Sequence, residues 1–420
     1  MLQSQVINVL PRRIIAGLWA TPETRMTLSH FTTNKEQQTP AAITPHFLCG
    51  ELPIRYTHIL RLLSTLSPDS LQKPILKHVA HSYLRDICTL LHPSLKQTSP
   101  KAFSTVLTKL RTSQALNLIR LRYAFSSSPN SVNLVENINT IGIGIHLLLD
   151  QHISWVTNKS NHVQTICPEQ ITHQAVQDAQ SAFSDISGQI PKIEICSRSK
   201  QELDHIPSVL HRVLYESILL CLKAQWIQSE EQERRTRWYQ RMFPRPPPFT
   251  KLSIFGGPTS VGFKLDTNAL VSENDLLPGI PRDPIGLPTC SHVLSNTSQS
   301  NLDHLQPNKA LEWASLSGWK MAKSLASHWG GNLDVVNVDG LGSTIYLAFD
   351  RNTHLLERYP SRHAVHVRNQ VDTLSIQTAS SQLDAFLYAI SGTPQQQQQQ
   401  QSIFAPHHHS VSLTAAVGHA

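Results

Sequence analysis

The chain predicts an α+β protein, an N-terminal four-helix bundle followed by a nucleotide-binding α/β sandwich, on three observations. Apolar residues recur at helical spacing from about residue 47 to about residue 156, and beyond about residue 167 helical and strand-like patterns alternate. Residues 318–350 then read as helix, Gly-Gly turn, strand, Gly-x-Gly turn, strand. That order is the closing unit of a nucleotide-binding sandwich, in which glycines let backbone N–H groups come close to phosphates because no Cβ intervenes. A Gly-x-Gly turn alone is more often plain hairpin chemistry.

Composition bounds the rest. The 420 residues, 40% of them hydrophobic, suffice for two ordinary domains with tails. No run reaches the apolar length that a bilayer requires, which predicts a soluble protein without a transmembrane segment. The net charge is +7 with 22 neutral histidines. There is no zinc-finger spacing, arginine-rich groove signature or aromatic-studded basic run, so nucleic acid is not implied. Cys49, Cys88, Cys167, Cys196, Cys221 and Cys290 form no C-x-x-C pair, which suits buried thiols in a reducing compartment.

Residues 1–40 have the balance of a mitochondrial targeting segment. Arg12, Arg13, Arg25 and Lys35 lie among apolar and hydroxyl residues, with Glu23 the single acid up to Lys35. The bland alternative is an unstructured N-terminal tail. Residues 45–165 form the helical bundle: Ile59, Leu62, Leu63 and Leu66 share one face, Ile75, Val79, Tyr83 and Ile87 another, and Phe103, Val106, Leu107 and Leu110 a third. Residues 141–153 are apolar almost all round, as a central helix would be. Breaks at 67–69, 92–100 and 126–131 give four helices in up-down order.

Residues 170–355 carry the sandwich, with a strand at 192–196, a long helix at 206–225, and a hairpin at 252–255 and 261–266. Two insert-like stretches interrupt it, one near 228–250 that ends in FPRPPPF and one at 267–308 rich in Pro, Ser and Asn. The tail, 375–420, includes Gln395 to Gln401 and the triplet His407 to His409, and is expected to lack fixed structure.

Several segments resemble one family in order and spacing. LCGELPIRYTHILRLLSTLSP (48–68) looks like the ELPVR helix of the mitochondrial pyruvate dehydrogenase and branched-chain 2-oxoacid dehydrogenase kinases, and IGIHLLLDQH (143–152) like their last bundle helix. LHRVLYESILLCLKA (210–224) stands where they carry E-x-x-K-N, and VGFKLD (261–266) where they have the strand ending in D-x-G-x-G. SGWKMAKSLASHWGGNLDVVNVDGLGSTIYLAF (317–349) resembles their G-x-G-L-P helix, GGDL turn and G-x-G-T hairpin, and ERYP (357–360) their ERLP.

The resemblance implies a histidine-kinase-like ATPase fold of the GHKL type. It implies a protein-serine kinase of the mitochondrial matrix that uses ATP and Mg²⁺. Its partners would be the 2-oxoacid dehydrogenase complex, through the lipoyl-bearing core and the dehydrogenase subunit, with a second copy or a homologue completing a homodimer or heterodimer. The bundle would dock the lipoyl domain. The catalytic base would be Glu216, with His211 the nearest histidine to the family's histidine position, which is Arg212. Asp266 would read adenine, and Gly318, Lys320, Gly340, Gly342 and Ser343 would line the phosphates.

The departures matter as much. The family's Mg²⁺ ligand, four residues after the Glu, is Leu220, which offers no oxygen to a hard cation. Arg212 one turn before Glu216 would hold that carboxylate ionised and hydrogen-bonded and weaken it as a base, while His211 is rotated by about 100° from the family position. Thr267-Asn268-Ala269-Leu270 follows Asp266 with neither glycine, and Leu316 and Trp319-Lys320 replace the first Gly and the Leu-Pro of G-x-G-L-P. Two readings stay open: an active kinase with replacement ligands such as Asn268 or Asn274, or a pseudokinase that docks and regulates. A gyrase-type ATPase is disfavoured by the bundle.

Overall fold

The computed structural model describes residues 11–32, 40–125, 131–157, 161–187, 192–197, 201–235, 249–276, 315–360 and 375–391. The first ten residues, Cys290, most of both expected inserts, the glutamine run and the histidine triplet lie outside the described residues. The architecture is α+β, mostly helical, with one mixed sheet.

The N-terminal half contains α1 (Arg12–Ala20), α2 (Pro45–Leu63), the short α3 (Pro68–Leu71), α4 (Pro74–Leu91), α5 (Pro100–Phe125) and α6 (Val132–Val156). A proline opens each of α2 to α5, where its missing N–H costs nothing and its fixed φ suits the first turn. Thr44 and Ser67 cap α2 and α3 by accepting the Phe47 and Ser70 amides. α2 packs on α4, α4 on α5, α5 on α6, and α6 back on α2. Leu62, Leu63, Ile145 and Leu148 are all buried between these helices. One expectation needs correction, because α6 is long and apolar enough to cross a membrane by length and composition. Its apolar faces are instead spent on α2 and α5, and the buried His152 donates from Nδ1 to Ile43 O at 2.6 Å, as in an all-round apolar core helix.

The second half runs β1 (Gln164–Ile166), α7 (Pro168–Ser187), β2 (Ile193–Ser197), β3 (Leu203–His205), α8 (Pro207–Arg235), β4 (Thr250–Gly256), β5 (Ser260–Thr267), α9 (Glu273–Leu276), α10 (Trp319–Ala326), β6 (Asn332–Val338), β7 (Gly342–Asp350) and α11 (Ile376–Ser391). The sheet order is β2-β4-β5-β7-β6, with β2 parallel to β4 and the other pairs antiparallel. Period-two alternation puts Val261, Phe263 and Leu265 of β5 and Ile345, Leu347 and Phe349 of β7 on the face covered by α8 and α10. β1 and β3 form a separate antiparallel pair.

Three boundaries differ from the sequence expectation. α8 continues to Arg235, so the first insert begins after residue 235 and not at 228. α11 falls inside the tail expected to be unstructured, and its Ala379, Leu383, Phe386, Leu387 and Ile390 are buried. Its partner is α1, with Trp19 and Phe386 ring centroids 6.0 Å apart and Trp19 Nε1 donating to Gln382 at 3.3 Å. Residues 12–31 are therefore part of the body, with Ile15, Trp19, Met26, Leu28 and Phe31 buried, and a leader detached near residue 40 would take core with it. The basic, acid-poor composition that suggested an address is that of an amphipathic helix whose arginines face out. Such a helix can equally close a core.

The deepest polar feature joins both ends of the chain. Arg55 is fully buried; its Nε donates to Glu51 at 2.8 Å, Nη1 to Glu357 at 3.1 Å, and Nη2 to Thr24 O at 2.8 Å and to the second Glu357 oxygen. Glu51 accepts the Thr24 amide and Glu357 the Met26 amide. His58 reaches Thr21 O and Tyr359 Oη. Burial pushes the Glu357 carboxyl up, but Arg55 and a hydrogen bond from His328 outweigh it and hold it at about 2. Gly144 of α6 is required by this cluster, since a Cβ there would stand 2.5 Å from Arg55 Nη1. ELPIR and ERYP, 300 residues apart in sequence, thus meet in one ion cluster.

Candidate functional site

α8 carries the residues at which catalysis was sought. Its helix follows from Pro207 at the first turn and from buried Leu210, Val213, Leu214, Ser217, Ile218, Cys221 and Gln225 at helical spacing. Glu216 is largely buried, with Oε1 at 2.6 Å from Arg212 Nη2 and Oε2 accepting the Gly318 N–H at 2.9 Å. Both oxygens are thereby engaged by the chain itself. Gly318 caps α10 at φ 97°, a conformation that glycine reaches without strain. From the other side, Arg122 of α5 donates to Ser315 O at 2.5 Å and Ser317 O at 3.0 Å, so the approach to α10 is held between the helical region and α8.

His211 is not brought to Glu216. Its Nε2 lies 2.9 Å from Asp178 of α7, and its ring stacks on Tyr215; burial lowers its pKa, against the opposing pull of Asp178. Leu220, one turn beyond Glu216, is buried among apolar neighbours. Lys320 is half-buried in the first turn of α10 and has no hydrogen-bond or ion-pair partner among the described residues.

Strand phase bears on Asp266, the residue expected to read adenine. Asp266 falls on the sheet face away from α8, where it accepts from Thr344 Oγ1 at 2.8 Å and pairs with Lys264 at 3.0 Å. The residue that faces α8 at the end of β5 is Thr267, whose hydroxyl accepts from Gln225 Nε2 at 3.1 Å. Counted from Thr267, the positions two and four residues on are Ala269 and Val271, both buried. The signal was legible in principle, because the alternation Val261, Phe263, Leu265 extends to 267 and excludes 266. Asn268 accepts the Phe249 amide at 3.4 Å.

The hairpin glycines divide. Gly340 sits at the tip beside exposed Leu341, with open space where a Cβ would go, so it serves the turn. Gly342, at φ 107°, lets β7 approach the backbone of Thr267 and Asn268, where a Cβ would come within 2.1 Å of Thr267 O. Ser343 Oγ accepts the Val271 amide at 2.8 Å and donates to Asn337 at 2.7 Å. Lys223 of α8 pairs with Asp275 of α9 at 2.6 Å. Residues 268–276 therefore bridge α8, α10 and the hairpin. Sequence reasoning missed Lys223, Asp275 and Arg122, whose partners lie too far away in sequence for spacing to reveal them.

A family model described as mitochondrial branched-chain alpha-ketoacid dehydrogenase kinase matches residues 24–186. A mitochondrial [pyruvate dehydrogenase (acetyl-transferring)] kinase of Arabidopsis thaliana is 24% identical over 332 residues, spanning 74% of this chain and 85% of the relative. The chain thus resembles, at a distance, the mitochondrial 2-oxoacid dehydrogenase kinases. The family model's match starts at residue 24, inside the segment first read as an address, and ends before α8. The groove lies outside the matched part. A mycobacterial sensor histidine kinase, MprB, aligns with 47% of this chain and 99% of its own at 14% identity, with a TM-score of 0.25. A likeness of that degree bears no weight.

ATP with Mg²⁺, which the resemblance implies, finds few fitting donors among the described residues at the expected positions. Leu220 stands at the metal-ligand position, Thr267 at the helix-facing end of β5, and Glu216 already holds the Gly318 amide. A hard cation needs oxygen donors, and none of these residues leaves one facing the groove for it.

Proposed function

We propose that this chain acts on the 2-oxoacid dehydrogenase complex as a docking and regulatory subunit that does not itself transfer phosphate. The observation that carries the reading is the Glu216 carboxylate, occupied on one oxygen by Arg212 and on the other by the Gly318 N–H. A general base has to reach the hydroxyl proton it removes, and a carboxylate engaged on both oxygens acts as a structural cap. In this reading the helices of residues 45–165 form a four-helix bundle that holds a lipoyl domain, and residues 170–355 keep the histidine-kinase-like sandwich as a pairing domain for a second copy or an active homologue. The place of action is the mitochondrial matrix.

The test uses purified protein, radiolabelled ATP with Mg²⁺, and the dehydrogenase assembled on its lipoyl-bearing core. Retention of the protein on the core without label on the dehydrogenase is the expected result. Label that disappears in Glu216→Gln would establish a working kinase and remove the reading.

A further inference from the structure

We propose that residues 268–276 form an intramolecular plug that keeps the groove between α8 and α10 closed to nucleotide, with the Lys223–Asp275 pair as its latch. This goes beyond the reading above, because it assigns exclusion of nucleotide to a displaceable segment and not only to altered ligands. The segment is attached at three points. At its start Ala269 is fully buried and donates its N–H to Thr267 Oγ1 at 3.3 Å. In its middle Val271 gives its N–H to Ser343 Oγ at 2.8 Å and accepts from Asn337 Nδ2 at 2.9 Å. At its end Lys223 holds Asp275 at 2.6 Å, and α9 rests against α10.

Between these points Leu270, Ser272, Glu273 and Asn274 are exposed, so the segment lies on the groove without being woven into the core. Two chain carboxylates, those of Glu216 and Asp275, sit on the Gly318 amide and the Lys223 ammonium, two donors suited to an anionic ligand. The Lys223–Asp275 side chains are 22% and 23% exposed, so this charged link is within reach of solvent and of competing ions. It is the attachment that a charged ligand can exchange, whereas the Ala269 and Val271 links are neutral.

The test uses the full chain with Lys223→Met and, separately, Asp275→Asn. Hydrogen exchange followed by mass spectrometry reads residues 268–276, and titration with a trinitrophenyl-ATP analogue reads the groove. Exchange in that peptide should rise about two- to fivefold in either variant, the factor expected for loss of one partly exposed ion pair, while peptides from α8 and β7 stay unchanged. The analogue should bind both variants at least about threefold more tightly than the wild type. Unchanged exchange would overturn the latch, and faster exchange without a gain in analogue binding would overturn the plug. Phosphoryl transfer by the variants would count against the functional reading alone and leave the plug in place.

Discussion

Two buried Glu–Arg pairs at i,i+4 spacing, Glu51–Arg55 on α2 and Arg212–Glu216 on α8, show how one local motif serves two ends. In the first the Glu precedes the Arg, the favoured order on a helix, and the guanidinium continues to Glu357 and Thr24. In the second the Arg precedes the Glu, and the carboxylate continues only to the nearby amide of Gly318. The first pair is the hub of an ion cluster that ties the N-terminal segment, α2 and the ERYP segment together. The second is a cap. The first pair lies within the part that the family model matches and its charges carry architecture, whereas the second lies beyond that part and its charges face the chain itself.

The largest break in this comparison is Arg55→Ala, which strands two buried carboxylates and should cost about 5 kcal/mol. Arg212→Ala should cost no more than about 2 kcal/mol, because Glu216 keeps the Gly318 amide. Urea unfolding followed by circular dichroism measures both, and equal losses would erase the distinction between hub and cap.

A buried carboxylate without a cation in contact sharpens it further. Asp86 of α4 accepts from Ser113 Oγ at 2.8 Å, yet burial raises its pKa to about 7. A carboxyl whose folded pKa is raised stabilises the fold fully below its unfolded value and loses that contribution as pH rises through the folded one. Stability should therefore fall by roughly 4 kcal/mol between about pH 4 and pH 7 through this group. Asp86→Asn should flatten that slope in thermal melts taken across the range. The Glu357 carboxyl has the opposite sign, since its stabilisation is present above its unfolded pKa and lost as pH falls towards about 2.

Gly144→Ala should cost about 1 to 3 kcal/mol, because the Cβ meets a guanidinium that three partners hold in place. Glu216→Gln is the smallest change, about 1 kcal/mol, and should leave retention on the lipoyl-bearing core untouched. Leu148→Asp, by contrast, should abolish that retention in a pull-down by burying a charge in the helical region.

The helices were legible because periodicity repeats over many residues, as at Val79, Tyr83 and Ile87, all buried on α4, although at its start Leu76 and not Ile75 is the buried residue. The hairpin at β6 and β7 was legible from its glycines. The facing of Asp266 was not legible from motif letters alone, because strand phase, which a single residue inverts, decides it. The roles of residues 12–31 and 376–391 were hidden for a different reason. Each segment is amphipathic alone, and only the partner 363 residues away, as in Trp19 to Gln382, turns that pattern into core. Composition sees the arginines of α1 and the polar company of α11, and neither tells which surface they cover.

The pairing of α1 with α11 also sets the order in which the chain can fold. α1 can dock on α2 early, but the face of it that α11 covers has no partner until residues 376–391 emerge, and Arg55 waits almost as long for Glu357. Contacts of such separation form late, after the entropy of a very long loop has been overcome. Until then the Trp19 face of α1 remains open to other chains, so the nascent protein should gain from holding chaperones through most of its synthesis. A product that stops short of residue 357 would keep that exposure permanently. Only chains that reach α11 can cover that face of α1.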